Sequence, residues 1–277
     1  MTQFPSGSLD LATNVINRGS TAVIKRYQSD IVIKCVNRPS EHDSIDYFEI
    51  GKQILDILRP HPRIIKFLGS SQTPKGLLFA EANHGDLQCY LDSHNESIND
   101  DLRLKWRLQA AEAVAYLRSK GVIHSDLRPQ NFLLHIDNDN DGPELLLCDF
   151  GGSYCKTSDR IIDGGHLPDT GFFNPTKEWI STKDTDIFAL GSVFYAVMTG
   201  HWLYKSPGPF VSVEEQEQYD ERVNELFMKR AFPPVEHLLG GDIIHECWTE
   251  KITHAGTIVS RHKSLIPPKE GGIEERT

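Results

Sequence analysis

Apolar residues along the chain change their rhythm near residue 83. Before it, β-branched residues crowd short runs, and VIKRY (23–27) and DIVIKCV (30–36) read as β-strands. The stretch IDYFEIGKQILDIL (45–58) places Phe48, Ile54, Leu55 and Leu58 near helical spacing, and RPHP ends that helix. RIIKFLGSSQTPKGLLFAEA (63–82) reads as two strands joined by a turn at Pro74 and Gly76.

After residues 83–86 the pattern turns helical. In NDDLRLKWRLQAAEAVAYLRSKG (99–121), Leu104, Leu108, Ala111 and Ala115 fall on one face. Asn99 fits an N-cap, Asp100 and Asp101 fill the first turn, and Gly121 follows the end. DTDIFALGSVFYAVMTG (184–200) is apolar nearly all round and predicts a helix buried at the centre of a domain. EEQEQYDERVNELF (214–227) reads as a solvated helix face. Residues 1–13 read as a loose leader and 263–277 as a flexible tail. The expected class is α+β, with a small β-rich lobe over 14–82 and a larger helical lobe over 83–262.

Composition narrows the function. Of 277 residues, 39% are hydrophobic and 25% charged, ordinary for a globular protein. A formal net charge of −10 argues against a nucleic-acid partner, which would call for clustered Lys and Arg. The five cysteines form no C-x-x-C pair, and the twelve histidines have no metal-ligand spacing. No run approaches the ~18 apolar residues that span a bilayer. With no signal-peptide pattern at the start, the chain reads as intracellular and cytoplasmic with reduced thiols.

Chemistry concentrates in a few ordered motifs. VIKCV supplies Lys34 within a strand, and HSDLRPQNFLL supplies Asp126, Arg128 and Asn131. CDFGGS supplies Asp149, DIFALG supplies Asp186 and Gly191, and ECW supplies Cys247 and Trp248. In this order and spacing the chain resembles a protein kinase domain over about residues 14–262, and its wording is similar to divergent kinase-like proteins of fungi. The resemblance implies a bilobal fold, ATP and Mg²⁺, and a protein substrate phosphorylated on Ser or Thr. Phosphoryl transfer is mostly positioning and charge neutralisation. Lys34 would then hold the α- and β-phosphates, and Asp126 would orient and deprotonate the substrate hydroxyl. Arg128 would be a fixed cation near the γ-phosphate, and Asn131 and Asp149 would ligate Mg²⁺. The link LLFAEANHGDL would carry the adenine site. Backbone groups of Glu81 to Asn83 would face the base, and Ala80, being small, would leave room at the back for bulky inhibitors.

Several positions depart from the family pattern. The phosphate-covering loop, G-x-G-x-x-G, keeps only Gly19 in the register Asn17, Gly19, Ala22. The helix glutamate that should pair with the strand lysine falls on Gly51. Glu49 lies two residues away, about 200° around the helix at ~100° per residue. Asn174-Pro175-Thr176 replaces A-P-E, so the usual anchoring Glu is missing. Ser125 replaces the arginine that clamps a phosphorylated activation segment through bidentate contacts. Activity is therefore expected to be independent of phosphorylation at Ser153, Thr157, Ser158 or Thr170. Two rival readings are a pseudokinase acting as a binding module and a small-molecule phosphotransferase sharing the H-x-D-x-x-x-x-N loop. The DNDNDG run (137–142) starts like an EF-hand loop, but Cys148 stands where its bidentate Glu is required, so a hairpin turn is expected there.

Overall fold

The N-terminal sheet is antiparallel and carries Lys34 on a central strand. The computed structural model describes residues 14–19, 21–37, 42–137 and 142–266. The leader, the middle of the DNDNDG turn and residues 267–277 lie outside the described residues. Strands β1 (Val15–Arg18), β2 (Ala22–Gln28), β3 (Ile31–Val36), β4 (Phe67–Gln72) and β5 (Lys75–Ala80) form one sheet in the order β1-β2-β3-β5-β4. Helix α1 (His42–Leu58) packs beneath it, burying Phe48, Ile54, Leu55 and Leu58 as its spacing predicts.

The C-terminal region is helical, with α2 (Leu87–His94), α3 (Asp100–Ser119), and two short strands, β6 (Val122–Ile123) and β7 (Phe132–His135). Strand β8 (Glu144–Leu147) pairs antiparallel with β7, and β9 (Tyr154–Lys156) and β10 (Ile161–Asp163) form a hairpin that adds to β6. Four helices follow: α4 (Lys183–Thr199), α5 (Val213–Met228), α6 (Gly241–Trp248) and α7 (Ala255–Leu265). The last of these carries helical structure two residues past the predicted start of the tail, to Leu265.

Helix α4 is the core of this region, buried continuously from Thr185 to Val197. A capping box opens it, with Thr182 and Thr185 each bonding the other's backbone N–H. Asn99 caps α3 as expected, accepting from the Leu102 N–H. The buried face of α3 differs from the predicted one. Leu104 and Ala111 are buried, but Leu108 and Ala115 are only half-buried, and the centre runs through Trp106, Ala110, Ala113 and Leu117. Two arginines share that interior. Arg103 donates to the Val197 carbonyl, and Arg107 to the Leu239 and Gly240 carbonyls at 2.5 and 2.9 Å. Each satisfies main-chain acceptors that burial would otherwise leave unpaired. No helix among the described residues is long and apolar enough to cross a membrane.

Candidate active site

The loop between β6 and β7 is hung from one buried carboxylate. Asp186, on the first turn of α4, accepts from the His124 N–H at 2.8 Å and the Ser125 N–H at 3.0 Å. Burial raises the Asp186 pKa, although both N–H groups and His124 work the other way. His124 is held through both ring nitrogens. Its Nε2 donates to the Cys148 carbonyl at 2.9 Å, its Nδ1 accepts from the Asp126 N–H, and its ring lies edge-on to Phe150. Ser125 is fully buried with φ +68°, and its Oγ donates to Ser181 Oγ at 2.8 Å.

This suspension fixes Asp126 with one oxygen tied and one open. Asn131 Nδ2 donates to Asp126 Oδ2 at 2.8 Å and to the Asp126 carbonyl at 2.7 Å. Oδ1 is buried and accepts no hydrogen bond. Two nitrogens face it at longer range, the Arg128 guanidinium Nε at 3.4 Å and the His166 imidazole Nε2 at 3.7 Å. Arg128 is itself held by Asp169, to which Nη1 donates. Desolvation opposes the Arg128 charge, but Asp126 and Asp169 outweigh it and raise its pKa. His166 and Asp169 carry no motif in the sequence. The fold alone brings them here.

Asn131 and Asp149 are neighbours because the Cys148 N–H donates to the Asn131 carbonyl at 2.9 Å. Phe150 turns inward, 2% exposed, and Asp149 turns into the cleft, where Lys34 Nζ meets its Oδ1 at 2.7 Å. Desolvation works against the Asp149 carboxylate, but Lys34 more than offsets it and holds the pKa down at about 2. Among the described residues, Lys34 pairs with Asp149 and with no carboxylate of α1. The helix is regular there. Gly51 faces the Phe150–Gly151 backbone, while Glu49 points away to Lys75 at 3.9 Å. A methyl group on Gly51 would come no closer than 3.5 Å to Gly151 N, an ordinary contact. Gly51→Ala is therefore expected to stabilise the protein by ~1 kcal/mol through helix propensity. A lower melting temperature for that variant would contradict this placement.

The nucleotide side corrects two expectations. Gly19 donates its N–H to the Ala22 carbonyl at 2.8 Å, so that amide closes a hairpin turn instead of facing a phosphate. The turn is also tied down by Asn37, which donates to the Gly19 carbonyl at 3.1 Å and accepts from Arg18 at 2.8 Å. Ala80 does not close the back of the pocket. In the β3–β5 register it opposes Ile31, which puts it on the sheet face of Ile33 and Leu78, whereas Phe79 opposes Val32 and shares the face of Lys34. Phe79 is large, 9% exposed and packed on Phe67, so the expected room for bulky inhibitors is absent.

Ala80, Glu81 and Asn83 instead line a cavity of about 610 Å³ at the link, with Arg26 and Ile136. Glu81 is engaged twice: its N–H donates to the Asp30 carbonyl at 2.8 Å, and its carboxylate pairs with Arg26. Asn83 exchanges side-chain hydrogen bonds with the Ile136 backbone at 3.0 and 2.9 Å. Glu81 uses its N–H on Asp30, whereas the backbone N–H and C=O groups of Ala82 and Asn83 make no hydrogen bond among the described residues.

The end of the activation segment is anchored after all. Asn174 Nδ2 donates to Glu250 Oε1 at 2.9 Å, and Lys177 Nζ to Oε2 at 2.8 Å. Glu250 lies just past α6, so a carboxylate there meets donors on the segment. The expected Glu is missing, and its work is done by a pair of opposite polarity.

Comparison with known proteins agrees with this geometry. The protein kinase domain model matches residues 17–255. The chain is 28% identical over 231 residues to the serine/threonine-protein kinase PKH3 of Eremothecium gossypii, covering 79% of this chain and 29% of the relative. It is 25% identical over 235 residues to a RasGEF domain-containing serine/threonine-protein kinase of Dictyostelium discoideum, covering 81% and 23%. It is 26% identical over 195 residues to the serine/threonine/tyrosine-protein kinase HT1 of Arabidopsis thaliana, covering 69% and 47%. The chain thus spans less than half the length of each of these relatives. A β-rich lobe over a helical one, Asp126 held beside Asn131, and a match over 17–255 lead to one family: the chain belongs to the protein kinase domain family.

Proposed function

We propose that the chain is an active protein kinase that transfers the γ-phosphate of Mg-ATP to Ser or Thr hydroxyls of a protein substrate. The observation that carries this reading is the state of Asp126. Its Oδ2 is fixed by Asn131, and its buried Oδ1 has no hydrogen-bond partner, which is the arrangement a base needs to receive a hydroxyl proton. A buried carboxylate oxygen left open is costly in a purely structural role.

The residues also fit the metal. Both Asn131 amide hydrogen bonds use Nδ2, which leaves its Oδ1 free to ligate. Lys34 takes one oxygen of Asp149 and leaves the other. Two oxygen donors, with phosphates and water completing the shell, suit Mg²⁺. When bound, the ion neutralises charge on the phosphates. Lys34 would exchange Asp149 for the α- and β-phosphates, Ala82 would offer a backbone donor and acceptor to the adenine, and Arg128 would present a fixed charge beside the base.

Independence from activation-segment phosphorylation has its own support. Ser125 is buried on Ser181 and cannot bind a phosphate, and Asp169 already occupies Arg128. Ser153 is fully buried, donating to the His124 carbonyl at 3.0 Å. The test uses Mg-ATP, a mixed protein substrate and phosphoamino-acid analysis. Label on Ser and Thr is expected from wild type, an unchanged rate from Ser158→Glu, and loss of label from Lys34→Met. Label confined to Tyr would overturn the specificity, and strong activation by Ser158→Glu would overturn the independence.

A pseudokinase remains the second reading, favoured by the Gly19 amide turned onto Ala22 and by glycine in place of a glutamate at position 51. Mg-ATP would then raise the melting temperature of wild type and not of Lys34→Met, with no label transferred.

A further inference from the structure

His166 reaches the catalytic loop because the activation segment is folded tightly onto the Asp149–Gly152 turn. Strands β9 and β10 form its hairpin, and the Gly164 N–H donates to the Ser153 carbonyl at 3.0 Å. A methyl group on Gly164 would fall on the Gly151 and Gly152 backbone, and one on Gly152 would stand 2.6 Å from His166 Cβ. Only glycine at both positions permits this approach. On the far side, the Tyr47 ring of α1 meets the His166 ring edge-on at 6.3 Å. The imidazole is therefore steered toward Asp126, with Nε2 3.7 Å from Oδ1, an ion-pair distance and longer than a hydrogen bond.

We propose that His166 is a positioning residue that gates the base: protonated, it pairs with Asp126 Oδ1 and excludes the substrate hydroxyl, and neutral, it releases that oxygen. The inference rests on the kinase reading above. Oδ1 is the only oxygen of Asp126 without a hydrogen bond, so substrate and imidazolium compete for one acceptor. The groups facing His166 are Asp126 and Arg128 from the catalytic loop, Asp169 from its own segment and Tyr47 from α1. Asp126 is the largest influence and raises the His166 pKa, against burial and Arg128. A raised imidazole pKa keeps the gate closed further toward neutral pH, so opening follows a rise in pH. By linkage, the contact stabilises the fold below the ordinary histidine pKa of 6.5 and is lost as pH rises through the raised value.

The test is the pH profile of kcat/KM for a protein substrate at saturating Mg-ATP, between about pH 5.5 and 8.5. Wild-type activity is expected to fall ~10-fold per unit below the His166 pKa. His166→Gln should remove that limb, so its ratio to wild type climbs as pH falls. His166→Lys, charged throughout, should be depressed across the whole range. An unchanged profile in His166→Gln, or a uniform loss with the limb intact, would overturn the gate while leaving the kinase reading standing. No transfer by wild type at any pH would overturn the kinase reading and the gate with it. The pairing itself is read without turnover by NMR titration of the imidazole, where Asp126→Asn should lower the His166 pKa. An unmoved pKa would overturn the pairing.

Discussion

Asp126→Asn is expected to lower phosphotransfer by ~10²–10⁴-fold, the usual contribution of a positioned general base. The geometry says why an amide of the same shape cannot substitute. Asn131 Nδ2 donates to Oδ2, so the new amide must turn its carbonyl oxygen toward Asn131. Its NH₂ then takes the place of Oδ1, where it meets Arg128 Nε and His166 and presents a donor to the incoming hydroxyl. The Asp126 N–H and C=O keep their partners, His124 and Asn131. Folding should therefore survive, and the rise in melting temperature with Mg-ATP should persist. A variant that melts normally and turns over normally would remove Asp126 from the chemistry.

Asp186→Ala should be among the most damaging single changes to stability. It leaves the buried His124 and Ser125 N–H groups without an acceptor, at ~1–3 kcal/mol each. Relief of the desolvation that raises the Asp186 pKa returns part of that cost, so a loss of roughly 2–4 kcal/mol is expected. Against a total of ~5–15 kcal/mol this is large, and the melting temperature should drop by on the order of 10 °C. Asp186→Asn keeps one acceptor oxygen and should fall between. If Asp186→Ala melts like wild type, the catalytic loop is not hung from α4.

Much of this was readable from the chain, for local reasons. Asp126, Asn131 and Asp149 sit in short segments whose neighbours fix their backbone, so HSDLRPQN and CDFGGS announce themselves. Helix α4 is apolar all round because it is buried all round. What stayed hidden depends on phase or on distant contacts. Residues 76–79 of β5 are all buried, so no alternation marks which face each takes, and only the strand register shows that Phe79, not Ala80, shares the face of Lys34. Arg103 and Arg107 count as polar in any pattern, yet they lie inside because main-chain carbonyls await them. Glu250 anchors a segment 73 to 76 residues earlier with the polarity reversed, so a search for the usual Glu could only report its absence. His166 and Asp169 reach the loop through a hairpin fold that no motif encodes. Gly51 faces the Phe150–Gly151 backbone, and Lys34 pairs with Asp149, a contact across 115 residues that no local pattern announces.

The measurement that decides most is transfer of labelled γ-phosphate from Mg-ATP to added protein, run in parallel with wild type and Asp126→Asn at matched folded concentration. Label on Ser and Thr is expected from wild type, with a signal at least ~100-fold lower from the variant. Equal incorporation by the two proteins, or none by either, would contradict that expectation.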